Sequence, residues 1–507
     1  MGVRVEPVRN TTFRPQTEIL IKTWRGKTYN LTAKGQNAFV SWSTSKDTSG
    51  QPGSFTIQLT AVRDSDGQSW CDKIYPMDYV EIRAAVNPQR SGSLPIIMRG
   101  FVETCEETLA FGDAEGGPTR SVVVQGADYT IIYQNYQIQY LWQTSTFAYA
   151  VNLMTKIFPF AMDTFFQTSF LGTGGTGTLQ GFIKALDSKI LPVYLERLAA
   201  YFKGGIPLPI SKVYMPTSPL VAPTYVENFT GTLWDLYTYY QSPPIGEMFI
   251  YDPPGSSAPE LLFRIAPYRN ASGNFPDIPL ASHVPESLLP TYEIDPLEIL
   301  AFQIGRTQQN AQNYWFTEAD SSLTDTLTAA AFTGTVGSVA GVSAAGLSPS
   351  SLDGMLAVSG YITSGTQIYN GSRPANPMVD DPSINLYGLR ASDIQSPWLS
   401  GILANIDTTV SNGGNVAAND NTLQAMQELA VDMTHWQWDV FRDNPIYLAG
   451  SITCHGREQY VVGRYIRTHE VTTSGYTEFY VTSVEHTFTQ FEEWTTTLGV
   501  SRGIHTS

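Results

Sequence analysis

The sequence predicts a mainly β protein of the α+β class, on three observations. Near its end, Trp494, Thr496, Leu498 and Val500 alternate with Thr495, Thr497, Gly499 and Ser501, the period of a strand with one buried face. Residues 17–134 carry several short alternating runs separated by turn chemistry, without helical periodicity. Helical spacing appears only between these two regions, so helices are expected as insertions into a β framework.

Residues 1–134 are expected to form a first β-barrel domain with an N-terminal arm. Phe55, Ile57 and Leu59 alternate with Thr56, Gln58 and Thr60, and Val80 and Ile82 with Tyr79, Glu81 and Arg83. Asp64-Ser65-Asp66-Gly67, Asn87-Pro88 and the run from Gly112 to Pro118 supply the turns. Residues 135–228 read as a helical insertion, with apolar residues at helical spacing in 145–160 and 181–202, among them Phe182, Ala185, Ile190, Tyr194, Leu198 and Phe202. Pro192 is expected to kink or break the second of these helices.

Residues 229–290 read as a small α/β subdomain: a helix opening at Gly231-Thr232-Leu233, Pro243-Pro244, then strands at Glu247–Tyr251 and Leu261–Arg264. Residues 291–320 and 440–507 are assigned to a second β-barrel domain, ending in the alternating strand. Between them, 321–439 is an insertion. It holds a Gly/Ala/Ser/Thr-rich stretch without charge from Thr326 to Leu352, too weakly apolar and too rich in glycine for a membrane helix and better read as a long loop or packed arm. It ends in the clearest helix of the chain, 421–441, with Asn421 or Thr422 as cap and Leu423, Met426, Leu429, Ala430 and Met433 on one stripe.

An internal echo links the two β regions. Phe101-Val102-Glu103-Thr104, then Glu107-Thr108, a turn and Arg120–Val124, mirrors Val481-Thr482-Ser483-Val484, then Thr487-Phe488, a turn and Trp494–Leu498. Two related β domains bracketing the chain, and a chance match of two hairpins, both fit this pattern.

Composition narrows the function. At 507 residues, two to four domains are expected. Charged residues make up only 15% and aromatics reach 12%, a balance that suits large permanent interfaces. The net charge of −16 argues against gripping duplex DNA, which takes a basic stripe. Cys71, Cys105 and Cys454 are isolated and imply no disulfide framework. The first residues lack the apolar core of a signal peptide and the serine or threonine position of a myristoylation signal, so neither export nor a lipid anchor is expected.

Catalytic chemistry is sparse. Gly172-Thr173-Gly174-Gly175-Thr176-Gly177 satisfies G-x-G-x-x-G but lacks the strand context and downstream acid of a dinucleotide site. The histidines (His283, His435, His455, His469, His486, His505) show no zinc-ligand spacing, and Cys454-His455 has no second thiol nearby. Glu106-Glu107 and Asp380-Asp381 are adjacent acids, but strand neighbours point to opposite faces. There is no G-x-S-x-G. No catalytic, metal or cofactor residue is therefore assigned.

Several segments, taken in order, resemble the baseplate hub family of contractile and related phage tails. They are Gly53–Ile57, Trp70–Val80 leading to Gly100–Glu103, Val124–Tyr129, Leu233–Leu236 with Pro243-Pro244 and Glu247–Phe249, Phe263-Arg264 before Pro267-Tyr268, Tyr387–Arg390, and the C-terminal block Tyr460–Ile466, Glu478–Phe488 and Trp494–Gly503. The resemblance implies two tail-tube-like antiparallel β-barrels per chain, and a homotrimer that offers six similar barrels to a sixfold tail tube while keeping threefold symmetry for a central spike. It further implies a virion protein assembled in the bacterial cytoplasm, with a tail tube or distal tail protein, spike, tape measure and baseplate wedge proteins as partners, and with DNA in transit. Two features depart from the pattern: the uncharged stretch, and Phe491-Glu492-Glu493 in the last turn, where glycine is expected. The competing expectations are a tail-associated cell-wall hydrolase, glycosidase or peptidase, and a receptor-binding tail module.

Overall fold

A computed structural model describes residues 5–7, 13–33, 38–63, 67–87, 94–110, 119–139, 177–178, 183, 191–215, 220–221, 230–253, 256–278, 289–319, 377–398, 420–469 and 475–506. The expected helix in 145–160, the glycine loop at 172–176 and the uncharged stretch 326–352 lie outside these residues.

The fold is mainly β, as expected. Its first part holds β1 (Val5–Pro7), β2 (Gln16–Lys22), β3 (Thr28–Asn30), β4 (Phe39–Asp47), β5 (Ser54–Thr60), β6 (Tyr79–Ala85), β7 (Ile96–Ala110) and β8 (Thr119–Asp128). A middle part follows with α1 (Thr130–Asn135), β9 (Gln137–Gln139), β10 (Gly177–Thr178), α2 (Leu191–Ala200), β11 (Ile210–Tyr214), β12 (Leu220–Val221), β13 (Thr230–Thr232), α3 (Leu233–Gln241), β14 (Gly246–Tyr251) and β15 (Glu260–Ile265). The last part opens with β16 (Thr291–Ile294) and β17 (Ile299–Gly305), then β18 (Tyr314–Ala319), β19 (Met378–Val379), α4 (Asp381–Tyr387), β20 (Ala391–Ser396) and α5 (Asp420–Phe441). It closes with β21 (Leu448–His455), β22 (Tyr465–His469), β23 (Tyr476–Thr489) and β24 (Trp494–Thr506).

The first and last parts share one 14-stranded sheet. Its first half runs β6-β7-β8-β5-β4 and its second β22-β23-β24-β21-β17, so strands in the same chain order take the same places. Two irregularities coincide as well, while the slips at Ile82/Arg83, Leu448/Gly450 and Glu478/Tyr480 belong to one half each. The β4–β5 ladder slips between Phe39 and Ser41, and the β17–β21 ladder slips between Ile299 and Ala301. Likewise β7–β8 slips between Val102 and Thr104, and β23–β24 between Val481 and Ser483. A bulge resets which residues face the core, so matched bulges fix a residue-by-residue equivalence: Glu106 with Glu485, Leu109 with Phe488, Trp42 with Phe302. The halves differ at their flank, where β2 lies antiparallel to β6 but β16 parallel to β22.

Burial follows the alternation where one face is free. Phe55, Ile57 and Leu59 are buried, and so are Trp494, Thr496, Leu498 and Val500. In β6 both faces are covered, because Tyr79 packs under the middle part and Glu81 pairs with Arg99 (3.3 Å). The β14–β15 hairpin is buried on both sides as well: Phe249, Tyr251 and Leu262 join the second half's core, while Met248, Ile250, Leu261 and Phe263 join a core under the helices.

Local signals explain the helices. Thr232 and Asp235 cap α3 reciprocally, with Asp235 N donating to Thr232 Oγ1 (3.0 Å) and Thr232 N to Asp235 Oδ2 (2.8 Å). Trp234 Nε1 then donates to Gly50 O (3.0 Å), fastening α3 to the β4–β5 turn. Of the helix expected over 181–202, residues 184–190 lie outside the described ones, and Pro192 lies inside a described helix. It is the second residue of α2, a position whose N–H has no intrahelical partner in any case. The strand Tyr314–Ala319, placed by the sequence reading within the second β region, pairs instead with β19 and β20. Under it, Thr434 and Gln437 of α5 bond to Thr317 (2.9 and 2.8 Å).

Candidate functional site

The groups that looked chemical in the sequence are used for structure. His486 is buried; its Nδ1 lies 2.8 Å from Thr496 Oγ1 and its Nε2 3.3 Å from Tyr460 O. Burial lowers its pKa to about 4, so the ring is neutral over most of the working range. Cys454 is buried on the other side of Thr496, its thiol pushed up to about 12 by burial, while His455 packs on Phe13 (4.9 Å between rings). Glu106 and Glu107 point to opposite faces of β7, and Glu107 meets Arg120 (3.8 Å). Asp380 and Asp381 stand at the start of α4. The Cys71 and Cys105 sulfurs approach to 3.0 Å, and burial raises both thiols. Among the described residues no group of three or more His, Cys, Asp or Glu could hold a metal, and no helix is long and apolar enough to cross a membrane.

What the fold does build is a seam. The outer edge of β23 is shared: Tyr476–Tyr480 pair with β22, and Ser483–Thr489 pair with β4, Glu485 opposite Ser45, Thr487 opposite Ser43 and Phe488 opposite Trp42. On the core side of this seam Trp42 stacks on Phe488 (5.8 Å, 11°) and meets Trp494 edge-on (6.3 Å, 61°). Phe488 and Trp494 thus belong to the first half's core although the second half supplies them. Sequence reasoning placed Trp494 in the second core alone; the β23–β4 pairing moves it.

The opposite face of the same strands is a largely polar carpet, in which Val123 sits between Gln58 and Glu106. Ser41, Ser43 and Ser45 of β4, Thr56 and Gln58 of β5, Ser121 and Gln125 of β8, Ser483 and Thr487 of β23, and Thr495 and Thr497 of β24 lie on it by alternation. On these strands its charges are Asp47, Glu106 and Glu485, and Lys46 and Arg120 fall on the core-side register; Arg502, at the irregular end of β24, is buried under Tyr268 and α5.

Two buried ion clusters clamp the β14–β15 hairpin to the sheet. Against the first half, Asp252 takes Lys46 (3.0 Å) and Arg99 (3.4 Å). Against the second, Glu247 takes Arg264 (2.5 Å) and the Tyr480 hydroxyl (2.6 Å to Oε2), while Arg264 Nη2 donates to Gly463 O (2.7 Å). Such groups hold geometry more than they add stability, since their desolvation is costly unless every partner is present.

Besides the outermost strands β1 and β3, each half of the large sheet leaves one edge open among the described residues. Beyond its pairing with β6, which ends at Phe101, β7 presents Glu103–Ala110 with β8 on one side only. The other is β17, paired only with β21. Leu109 (43% exposed), Leu300 (48%) and Phe302 (53%) lie on these edges. The sequence reading missed them, because an apolar residue within an alternating strand reads as core.

No protein-family model and no curated protein matches the sequence. Among solved structures the chain is similar to a 43 kDa tail protein of prophage MuSo2 from Shewanella oneidensis, at 11% identity over 96% of this chain and 98% of that one, TM-score 0.44. It is also similar to a tail protein from Neisseria meningitidis MC58, at 9% identity over 96% of each chain, TM-score 0.41. A third is a prophage tail protein from Listeria monocytogenes EGD-e, at 8% identity over 95% of this chain and 94% of that one, TM-score 0.40.

Proposed function

We propose that this chain is a structural protein of a phage tail, the hub of its baseplate, working as a homotrimeric ring between a sixfold tail tube and a threefold central spike. The observation that carries the reading is the duplication: two halves of equal strand order and matched bulges share one continuous sheet. A protein with two equivalent units per chain meets a sixfold neighbour with three chains, and a threefold neighbour with the same three. The polar face supports the channel role. On the exposed part of this face, among the described strands, hydroxyls and amides surround the carboxylates of Asp47, Glu106 and Glu485 and give a phosphate backbone nothing to displace counterions onto, so DNA passes without being held.

The tube or distal tail protein, the spike, the tape measure and the wedge proteins are the partners this role calls for, and the baseplate is its location. The role is non-enzymatic: the carboxylates of Glu106 and Glu107 diverge, and His486 is spent in packing.

Mass measurement of the purified protein tests the ring. Three copies of a 55.8 kDa chain give about 167 kDa, and a monomer at micromolar concentration contradicts the proposal. Linear DNA should elute from the immobilised ring at low salt; tight, steeply salt-dependent retention overturns the channel assignment. Release of sugars or muropeptides from cell walls by the purified protein overturns the non-enzymatic one.

A further inference from the structure

Resting on the ring reading, we infer that neighbouring subunits join by strand pairing between the open edge of β7 in one copy and that of β17 in the next, in a register set by the seam inside the chain. Inside the chain the second half's hairpin strand, β23, pairs along Ser483–Thr489 with the first half's edge strand, β4. The counterpart of β23 is β7 and that of β4 is β17, by strand order and by the matched bulges. Those two strands carry the open edges. A connection made once within the chain therefore leaves its two complementary surfaces exposed, one on each half. A contact of this head-to-tail kind repeats from copy to copy until the ring closes.

Transferring the internal register puts Glu106 opposite Gly305, Glu107 opposite Ile304, Thr108 opposite Gln303 and Leu109 opposite Phe302. The last pair is the most telling. Its internal counterpart is Phe488 opposite Trp42, stacked at 5.8 Å and buried, whereas Leu109 and Phe302 are 43% and 53% exposed. Pairing the edges covers both, on the same side of the sheet as the Trp42 stack. Arg306 follows β17 where Lys46 stands in β4, and falls on the same side as Glu107 of the neighbour, an opposite-charge diagonal across the strands. On the other face Thr108, Gln303 and Glu106 continue the polar carpet, so that Glu106 and Glu485 recur alternately around the ring. Open edges with apolar side chains are an aggregation hazard unless something covers them, and a second copy of this chain is the partner whose edge has the right bulge, length and register.

Cysteine cross-linking reads the register directly. The doubly substituted T108C/Q303C protein, treated with a mild oxidant, is expected to give covalent trimer on non-reducing gels at about ten times the level of either single variant, as directly opposed positions allow. T108C/F302C, whose side chains fall on opposite faces, is expected to give no more than the single variants. L109D and F302D are expected to shift the mass to the monomer while the circular dichroism and melting temperature of the folded chain persist, since both residues are exposed in the single chain. A trimer by mass that fails to cross-link at T108C/Q303C, or that survives both L109D and F302D, overturns this interface and leaves the ring reading standing. A wild-type protein that is monomeric overturns both.

Discussion

Met77 and Gly463 hold the same place in the two halves of the sheet. Each takes left-handed backbone, at φ 68° and 70°, and each N–H donates to the carbonyl beside the matched bulge, Met77 to Val102 (2.7 Å) and Gly463 to Val481 (2.9 Å). The return bonds match too, from Val102 to Asp78 O and from Val481 to Arg464 O, both 2.9 Å. Yet one position carries a long side chain and the other none. At Gly463 a Cβ would meet Arg264 Nη2 at 2.4 Å and Phe249 Cζ at 2.7 Å, because the hairpin of the middle part lies over the second half there. Met77 instead packs at the border of the helical core. The two halves thus share a backbone plan, and what distinguishes them is what the middle part lays on each.

The largest test of that comparison is at the seam. Trp494→Ala removes a fully buried ring that belongs to one half's strand and the other half's core, and is expected to cost about 3–5 kcal/mol. Denaturant unfolding followed by tryptophan fluorescence and by circular dichroism should lose stability in one coincident transition. Two separated transitions would show that the halves do not depend on the seam.

A smaller effect sharpens the contrast between the halves. Gly463→Ala is expected to destabilise by about 1–3 kcal/mol, from the left-handed backbone and the displaced Arg264. Met77→Gly should stay within about 1 kcal/mol, as relief of the same backbone offsets the lost packing. Equal losses at both positions in urea titrations would break the comparison.

Acidification separates the seam from the first half's own carboxyls. The His486 pKa of about 4 lies below its ordinary 6.5 through burial, so its contribution is complete above pH 6.5 and is lost as pH falls towards 4. Asp78 and Asp128, raised by burial from 3.8 to about 6, act the other way: the stability from their neutral forms is complete below 3.8 and lost as pH rises through 6. With two carboxyls against one imidazole, these groups leave a net rise in stability on acidification between pH 6 and 4, with the slope of about one proton. In His486→Asn, stability should rise on acidification across that window relative to wild type, and an unchanged slope would contradict the buried neutral ring.

The smallest effects lie at the last hairpin. Phe491 is 95% exposed with φ 68°, so the glycine expected there on sequence grounds would fit the backbone, and Phe491→Gly should stabilise by up to about 1 kcal/mol in thermal melts. Thr495→Ala, on the polar face, should change stability by less than about 0.5 kcal/mol.

Local patterns were legible in the sequence. The faces of β24 and β5, the extent of α5 and the helix-then-hairpin of the middle part all follow from periodicity within a few turns or pleats. The echo between 101–124 and 481–498 was legible as a pattern as well, because both segments are long hairpins that share a bulge in the first strand. The pairing of β23 with β4 was not, since strands far apart in the chain leave no local mark of their partner. The equivalence of β17 with β4 was hidden twice over: ILAFQIG and FVSWSTS share almost no residues, and residues 306–447 intervene before the neighbouring strand β21. Leu109 and Phe302 were therefore invisible as interface residues until the open edges were seen.

The central claim is that one chain contributes two equivalent units to a closed ring. Rotational analysis of electron-microscopy images of the purified particle, viewed down its axis, tests it most directly. The account predicts threefold symmetry with six nearly equal lobes around a central opening; single-chain particles, or a ring whose lobes number the same as its chains, would contradict it.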